Sequence, residues 1–188
     1  FLAEKIRDWE KALNADALQL AYLPSPGFVK LRINSYEGAA DAEKINRYFK
    51  ELEAIIPEAL YGYEKETLAE VVAKLLVGQD LKIGTVESCT AGLLAHQLTT
   101  IPGASEYYQG SILSYSNALK TKMAGVDLNL ISRHGAVSKE VACAMAEGGR
   151  KILEVDICIS TTGIAGPSGG TDEKPVGLVW IAIASKEK

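Results

Sequence analysis

Apolar residues recur at helical intervals over Phe1 to Leu13, where Leu2, Ile6, Trp9 and Leu13 are separated by charged positions, and predict one amphipathic helix. From Ala17 the period drops to two. Leu18, Leu20 and Tyr22 alternate with Gln19 and Ala21, and Val29, Leu31 and Ile33 with Lys30, Arg32 and Asn34. With Pro24-Ser25-Pro26-Gly27 between them, the two runs predict a β-hairpin. Helical spacing returns over Asp41 to Ile56 through Ile45, Tyr48, Phe49, Leu52 and Ile55 and stops before Pro57; Ala59 to Tyr63 then predicts a short strand. The polar joint Glu64-Lys65-Glu66 marks a boundary between a small α+β domain, residues 1–64, and a second domain, residues 65–188.

Thr67 with Glu70 three positions on forms a capping box that opens a helix over Leu68 to Val77, stopped by Gly78. The pattern then predicts a strand over Leu81 to Val86, a helix over Thr90 to Thr99 and a strand over Gln109 to Tyr115. Helices over Asn117 to Ala124 and Ser138 to Leu153 follow, then strands over Asp156 to Thr161 and Val176 to Ala184. This alternation predicts an α/β fold, a three-layer α/β/α domain with a mostly parallel or mixed sheet. Ligands on such sheets bind at the carboxyl ends of strands. Three polar or glycine-rich segments fall there: Glu87 to Thr90, Tyr115 to Asn117, and Thr161 to Thr171. The chain opens on Phe1 inside a helical pattern and stops at Lys188 after a strand with nothing to cover the sheet, which suggests a longer native protein.

At 188 residues and 47% hydrophobic the chain can bury a sizeable core. A net charge of −4 and a pI near 5.3 argue against a general nucleic-acid binder, whose affinity rests on Lys and Arg neutralising phosphates. Cys89, Cys143 and Cys158 are odd in number and widely spaced, which fits reduced thiols, a cytoplasmic protein and no zinc pattern. No apolar run approaches the length of a membrane span, and no signal peptide is evident.

Ser88 lies on a predicted strand-to-helix corner, where a helix cap and a nucleophile beside free N–H groups are both open readings. Thr90 competes for the cap. His96 stands seven residues and about 10 Å along the helix from Cys89, too far to pair with it or with Ser88, and His134 precedes Gly135 in an apparent loop. Cys89 reads as a small packing residue. Lys120 falls in the first turn of a helix, where the dipole and burial would favour a neutral amine able to act as base, although most lysines are solvated. Tyr115, just before that helix, is placed to orient such a pair or simply to pack. The loop containing Thr162, Gly163, Gly166, Ser168, Gly169, Gly170 and Thr171 is neither a Walker A nor a Rossmann motif. Its glycines and hydroxyls suit a phosphate cradle or an irregular loop, and Asp172-Glu173-Lys174 reads as a solvated turn.

Several motifs resemble one family in order: Glu-Ser-Cys-Thr at 87–90, Tyr-Ser-Asn at 115–117 with Lys120 beyond, His-Gly-Ala-Val-Ser at 134–138, Gly-Ile-Ala-Gly-Pro at 163–167 and Glu-Lys-Pro-Val-Gly at 173–177. They look like the C-terminal domain of the competence/damage-inducible CinA proteins. The front unit, with Leu-Pro-Ser-Pro-Gly at 23–27, resembles the KH-like middle domain of the same proteins. The resemblance implies a metal-independent nicotinamide mononucleotide amidohydrolase that needs no cofactor and works in pyridine nucleotide recycling. It implies Ser88 as nucleophile and Lys120 as its base, with Tyr115 and Thr162 at positions that assist in the site, in a homo-oligomer, most simply a dimer. The strand-to-helix corner adds N–H groups near Thr90 for the oxyanion, and Thr90, Asn117, Thr162, Gly163, Gly166, Gly169 and Gly170 are expected to bind substrate. The alternative is a non-enzymatic module that recruits a competence or DNA-damage partner, or RNA through the KH-like unit. Pro24 to Gly27 lacks the basic Gly-x-x-Gly loop that RNA binding by KH domains uses.

Overall fold

The computed structural model describes residues 1–186, and its chain divides into two compact units, Phe1–Gly62 and Tyr63–Lys188. Among the described residues no helix is long and apolar enough to cross a membrane. The expectation attached to the chain stopping at Lys188 lies outside the described residues.

In the first unit the opening helix is two pieces, α1 (Leu2–Lys5) and α2 (Arg7–Ala15), broken at Ile6, which is fully buried. The hairpin pairs β1 (Gln19–Ser25) antiparallel to β2 (Phe28–Asn34), with Ser25 opposite Phe28. Both strands run further than the alternation predicts. Pro26 and Gly27, the latter at φ 87°, suffice for the turn, since proline presets its first position and glycine takes the positive φ of its second. Helix α3 (Ala42–Ile55) closes a core of Ile6, Trp9, Leu13, Leu18, Tyr48, Leu52 and Ile56. Trp9 Nε1 donates to Tyr48 O at 3.0 Å, which satisfies the one polar atom of a buried indole. The strand expected over Ala59 to Tyr63 does not form. The N–H groups of Ala59 and Leu60 turn back onto Ile56 O, so the segment ends the helix instead of pairing.

In the second unit α4 (Leu68–Gly78) opens with the expected capping box: Glu70 N–H donates to Thr67 Oγ1 at 3.2 Å and Thr67 N–H to Glu70 Oε2 at 2.7 Å. The sheet order is β4 (Tyr108–Leu113), β3 (Ile83–Glu87), β5 (Ile157–Gly163), β6 (Val179–Ser185). The first three are parallel and β6 is antiparallel to β5, a mixed sheet. On one face, α8 (Lys139–Ile152) packs with α6 (Asn117–Ala124) around Val86, Ile112, Ala124, Val141 and Met145. On the other, α4 and α5 (Leu93–Thr99) cover Ile83 with Ala73, Leu76, Leu98 and Tyr107. One helix escaped the hydrophobic pattern. Helix α7 (Leu128–His134) is capped by Asp127, whose Oδ1 accepts from Asn129 N–H at 2.8 Å, so His134 ends a helix rather than sitting in a loop.

Close approach fixes where α8 and α6 lie. A Cβ on Gly148 would sit 1.8 Å from Ala124 O, and one on Gly149 would sit 2.1 Å from Val86 Cγ2. Only glycines let α8 touch both the end of α6 and the centre of β3, and α6 is the helix that carries Lys120.

Candidate active site

Alternation along β3 sorts the side chains around its end. Ile83, Thr85 and Glu87 share the α5 face, while Gly84 and Val86 face α8, and Ser88 continues their parity toward α6. On α6, Ser116 caps the helix by accepting from Leu119 N–H at 3.2 Å, and Lys120 lies one turn on, facing the sheet. The two meet: Lys120 Nζ is 2.9 Å from Ser88 Oγ, with both residues buried, Lys120 at 2% and Ser88 at 6% exposure. Nζ also donates to Ser114 O at 2.8 Å and approaches Tyr115 O at 3.4 Å. Burial pushes the Lys120 pKa below the usual 10.5, and the neighbouring Cys89 acts more weakly in the opposite sense. A neutral amine keeps a lone pair for the Ser88 proton, and its remaining hydrogens are met by the two carbonyls.

Ser88 does not cap a helix. The segment expected to be helical from Thr90 starts only at Leu93, because Ala91 and Gly92 adopt φ 53° and 94° and the N-cap is Gly92, without a side-chain cap. The cap comes from Glu87, fully buried, whose Oε2 accepts from Gly92 N–H at 3.0 Å and Leu94 N–H at 3.1 Å and whose Oε1 accepts from Ala95 N–H at 2.8 Å. Burial pushes the Glu87 pKa up, but hydrogen bonds from Thr90, Ala95, Leu94 and Gly92 together outweigh it and hold the carboxyl below the ordinary 4.5. An ionised carboxylate at a helix N-terminus satisfies the orphan N–H groups and leaves the Ser88 hydroxyl to Lys120. Ala91 pays for this corner in strain, since a left-handed φ brings its Cβ against the backbone. Ala91→Gly is expected to raise unfolding stability by about 1 kcal/mol, read as a higher urea midpoint with unchanged slope.

The other candidates separate. Thr90 Oγ1 bonds Thr161 Oγ1 at 2.7 Å, and Thr161 O accepts from Ser88 N–H at 3.1 Å, so Thr161 fixes the corner although no motif singled it out. Thr162, one position on, faces the opposite side of β5 and donates to Ala136 O at 2.9 Å; its hydroxyl is committed to the α7–α8 connection. Tyr115 meets Lys120 Nζ through its carbonyl at 3.4 Å, and its side chain is 73% exposed at the start of α6 rather than packed in the core. Asn117 is exposed on the first turn of α6. Gly163 lies against the site, since a Cβ there would come within 3.0 Å of Cys89 Sγ and 2.8 Å of Leu178 O. Gly166 and Gly169 take φ 81° and 90°, and a Cβ on Gly170 would meet Val176 N at 2.7 Å, so the exposed loop is folded tightly.

Lys174 is not part of a free turn. Its Nζ donates to His134 O at 2.6 Å and Val137 O at 2.8 Å, tying the glycine loop to the end of α7. Cys89 packs beside the site with its pKa raised, burial outweighing the N–H groups of Cys89 and Thr90 that turn toward its sulfur. His96 is exposed on α5. A groove of about 830 Å³ between α4 and the Ile101–Tyr107 segment contains none of these residues. Among the described residues no cluster of three or more His, Cys, Asp or Glu could hold a metal ion.

The model of the CinA C-terminal domain matches residues 65–188. The chain belongs to the CinA family. A CinA-like protein of Cytophaga hutchinsonii is 45% identical over 192 residues, covering 100% of this chain and 45% of the relative. A CinA-like protein of Amoebophilus asiaticus is 40% identical over 187 residues, covering 98% and 45%. The chain therefore spans about 45% of the length of these CinA relatives. Among solved structures, the competence/damage inducible protein CihA of Agrobacterium tumefaciens aligns with TM-score 0.64 and 38% identity over 68% of this chain and 78% of that one. A CinA superfamily protein of Escherichia coli aligns with TM-score 0.62 and 30% identity over 71% and 80%. The CinA fold is thus that of the second unit, with helices on both faces of a mixed sheet.

Proposed function

We propose that the second unit is a nicotinamide mononucleotide amidohydrolase, which releases ammonia and leaves nicotinic acid mononucleotide in pyridine nucleotide recycling. The observation that carries the reading is the buried 2.9 Å contact between Ser88 Oγ and an amine whose pKa burial lowers. Ser88 Oγ bonds to the carboxamide carbon as its proton passes to Lys120, and the N–H groups of the Cys89–Thr90 turn, which face the weak acceptor Cys89 Sγ in the resting site, hold the oxyanion instead. Lys120 then gives that proton to the nitrogen as the C–N bond breaks, releasing ammonia and leaving an acyl-Ser88. Water attacks the acyl carbon and passes one proton to Lys120, which returns it to Ser88 Oγ as the ester bond breaks; the carboxylic acid so formed loses its remaining proton to solvent and departs as the carboxylate. The tightly folded loop with Gly163, Gly166, Gly169 and Gly170 follows β5 at the same end of the sheet, which supports it as the seat of the phosphate. The helix, hairpin, helix order of the first unit supports its kinship with the KH-like middle domain.

The test is direct. The native full-length protein incubated with nicotinamide mononucleotide is expected to yield ammonia and nicotinic acid mononucleotide in equal amounts, quantified by chromatography and an ammonia assay. Absence of both products at saturating substrate rejects the reading.

A further inference from the structure

Two buried hydroxyls have no hydrogen-bond partner among the described residues, Ser114 Oγ and Thr121 Oγ1, and both lie near Lys120 in the chain or the fold. Thr121 follows Lys120 on α6 and is turned about 100° from it around the helix, off the inward face. Ser114 is placed differently. It is fully buried and continues the parity of Ile112, the side of β4 that faces α6 and α8. Its main chain is engaged at both atoms: its N–H donates to Glu87 O at 2.9 Å and its carbonyl accepts from Lys120 Nζ at 2.8 Å. The residue that holds the amine therefore also carries an unpartnered hydroxyl, which rotation about χ1 moves without disturbing the backbone.

The proposed reaction creates a need for it. The neutral amine has two hydrogens, met by Ser114 O at 2.8 Å and Tyr115 O at 3.4 Å. The ammonium has three. By then Ser88 Oγ is bonded to the substrate carbon and has become a weak acceptor, and the Tyr115 contact is long. Resting on the serine–lysine reading above, we propose that Ser114 is a positioning residue for the base, its hydroxyl oxygen turning to accept from Lys120 Nζ once the Ser88 proton has transferred. It holds the ammonium in place until the proton passes to the departing nitrogen. The titratable group that acts on Lys120 from the β3–α5 turn is Cys89, whose thiol burial keeps protonated. Glu87 turns its carboxylate to α5, and α8 brings apolar Val141 and Met145 to the core that α6 joins.

The experiment measures kcat and KM for nicotinamide mononucleotide against pH in the native full-length protein and in Ser114→Ala, Ser114→Thr and Ser88→Ala. Ser114→Ala is expected to lose about tenfold in kcat, the worth of one hydrogen bond to a charged group, with KM unchanged. The acid limb of its kcat profile shifts to lower pH, because the ammonium has lost an acceptor. Ser114→Thr, which keeps the hydroxyl, restores both quantities. If Ser114→Ala does not fold, Ser114→Cys, a weaker acceptor of similar size, carries the same expectation. An unmoved acid limb, or an unchanged kcat, overturns the role of Ser114. Activity retained by Ser88→Ala overturns the serine–lysine reading itself and the Ser114 role with it, whereas an inactive Ser88→Ala beside a parent-like Ser114→Ala rejects the Ser114 role alone.

Discussion

Lys120→Met is expected to lower kcat/KM for ammonia release by about 10²–10⁴-fold, the usual contribution of a positioned general base. Methionine preserves the length and apolar stem of the side chain while deleting the nitrogen that stands 2.9 Å from Ser88 Oγ. The same substitution has a signature in stability. The unfolded lysine binds its proton below about pH 10.5, and burial makes the folded amine release it at a lower pH. Between the two values unfolding takes up a proton, so the parent gains stability as pH rises through that window. The methionine variant lacks this slope. Urea unfolding at a series of pH values should therefore show the variant gaining on the parent as pH falls, with the difference levelling off below the folded-state pKa. Ammonia release at the parental rate would refute Lys120 as base, and pH-independent differences in stability would refute its depressed pKa.

Local pattern placed each half of the Ser88–Lys120 contact at an element boundary, but only the ordered family motifs named the two together. Ser116 and the spacing of Leu119 and Ala124 mark α6 and put Lys120 in its first turns, and the apolar run of β3 breaks cleanly at Glu87-Ser88. The features that escaped depend on strand parity or on backbone conformation, to which hydrophobic spacing is blind. Thr161 and Thr162 are equivalent by composition, yet their faces of β5 send one to the Ser88 corner and the other to Ala136 O. Positive φ at Ala91 and Gly92 delays α5 to Leu93, and an alanine gives no warning of a left-handed turn. Tyr115 follows a strand and so looks placed to pack, but β4 ends at Leu113 and the side chain leaves the core. Helix α7, only seven residues long, had a readable cap in Asp127 and a stop in Gly135, but too few apolar positions to establish a period.

Glu87→Leu is expected to cost more than about 3 kcal/mol of folding free energy, because it leaves the N–H groups of Gly92, Leu94 and Ala95 without an acceptor at about 1–3 kcal/mol each. Against a total stability of about 5–15 kcal/mol for a domain, that is a large fraction. Activity should fall with it, since a frayed α5 start frees Ser88 to seek those same N–H groups. Glu87→Gln separates charge from shape. The amide keeps one acceptor oxygen and turns an NH₂ group toward backbone donors, so it restores only part of the loss. The pH dependence fixes the sign. Because the folded carboxyl titrates below its ordinary 4.5, its contribution to stability is present above about pH 4.5 and is lost as pH falls through the folded value. The difference between parent and Glu87→Gln should thus be largest near neutral pH and shrink in acid, measured by urea unfolding at each pH. A difference that stayed constant into acid would mean that Glu87 caps α5 as a neutral group, and Ser88 would then sit beside a carboxylic acid with a proton of its own to donate.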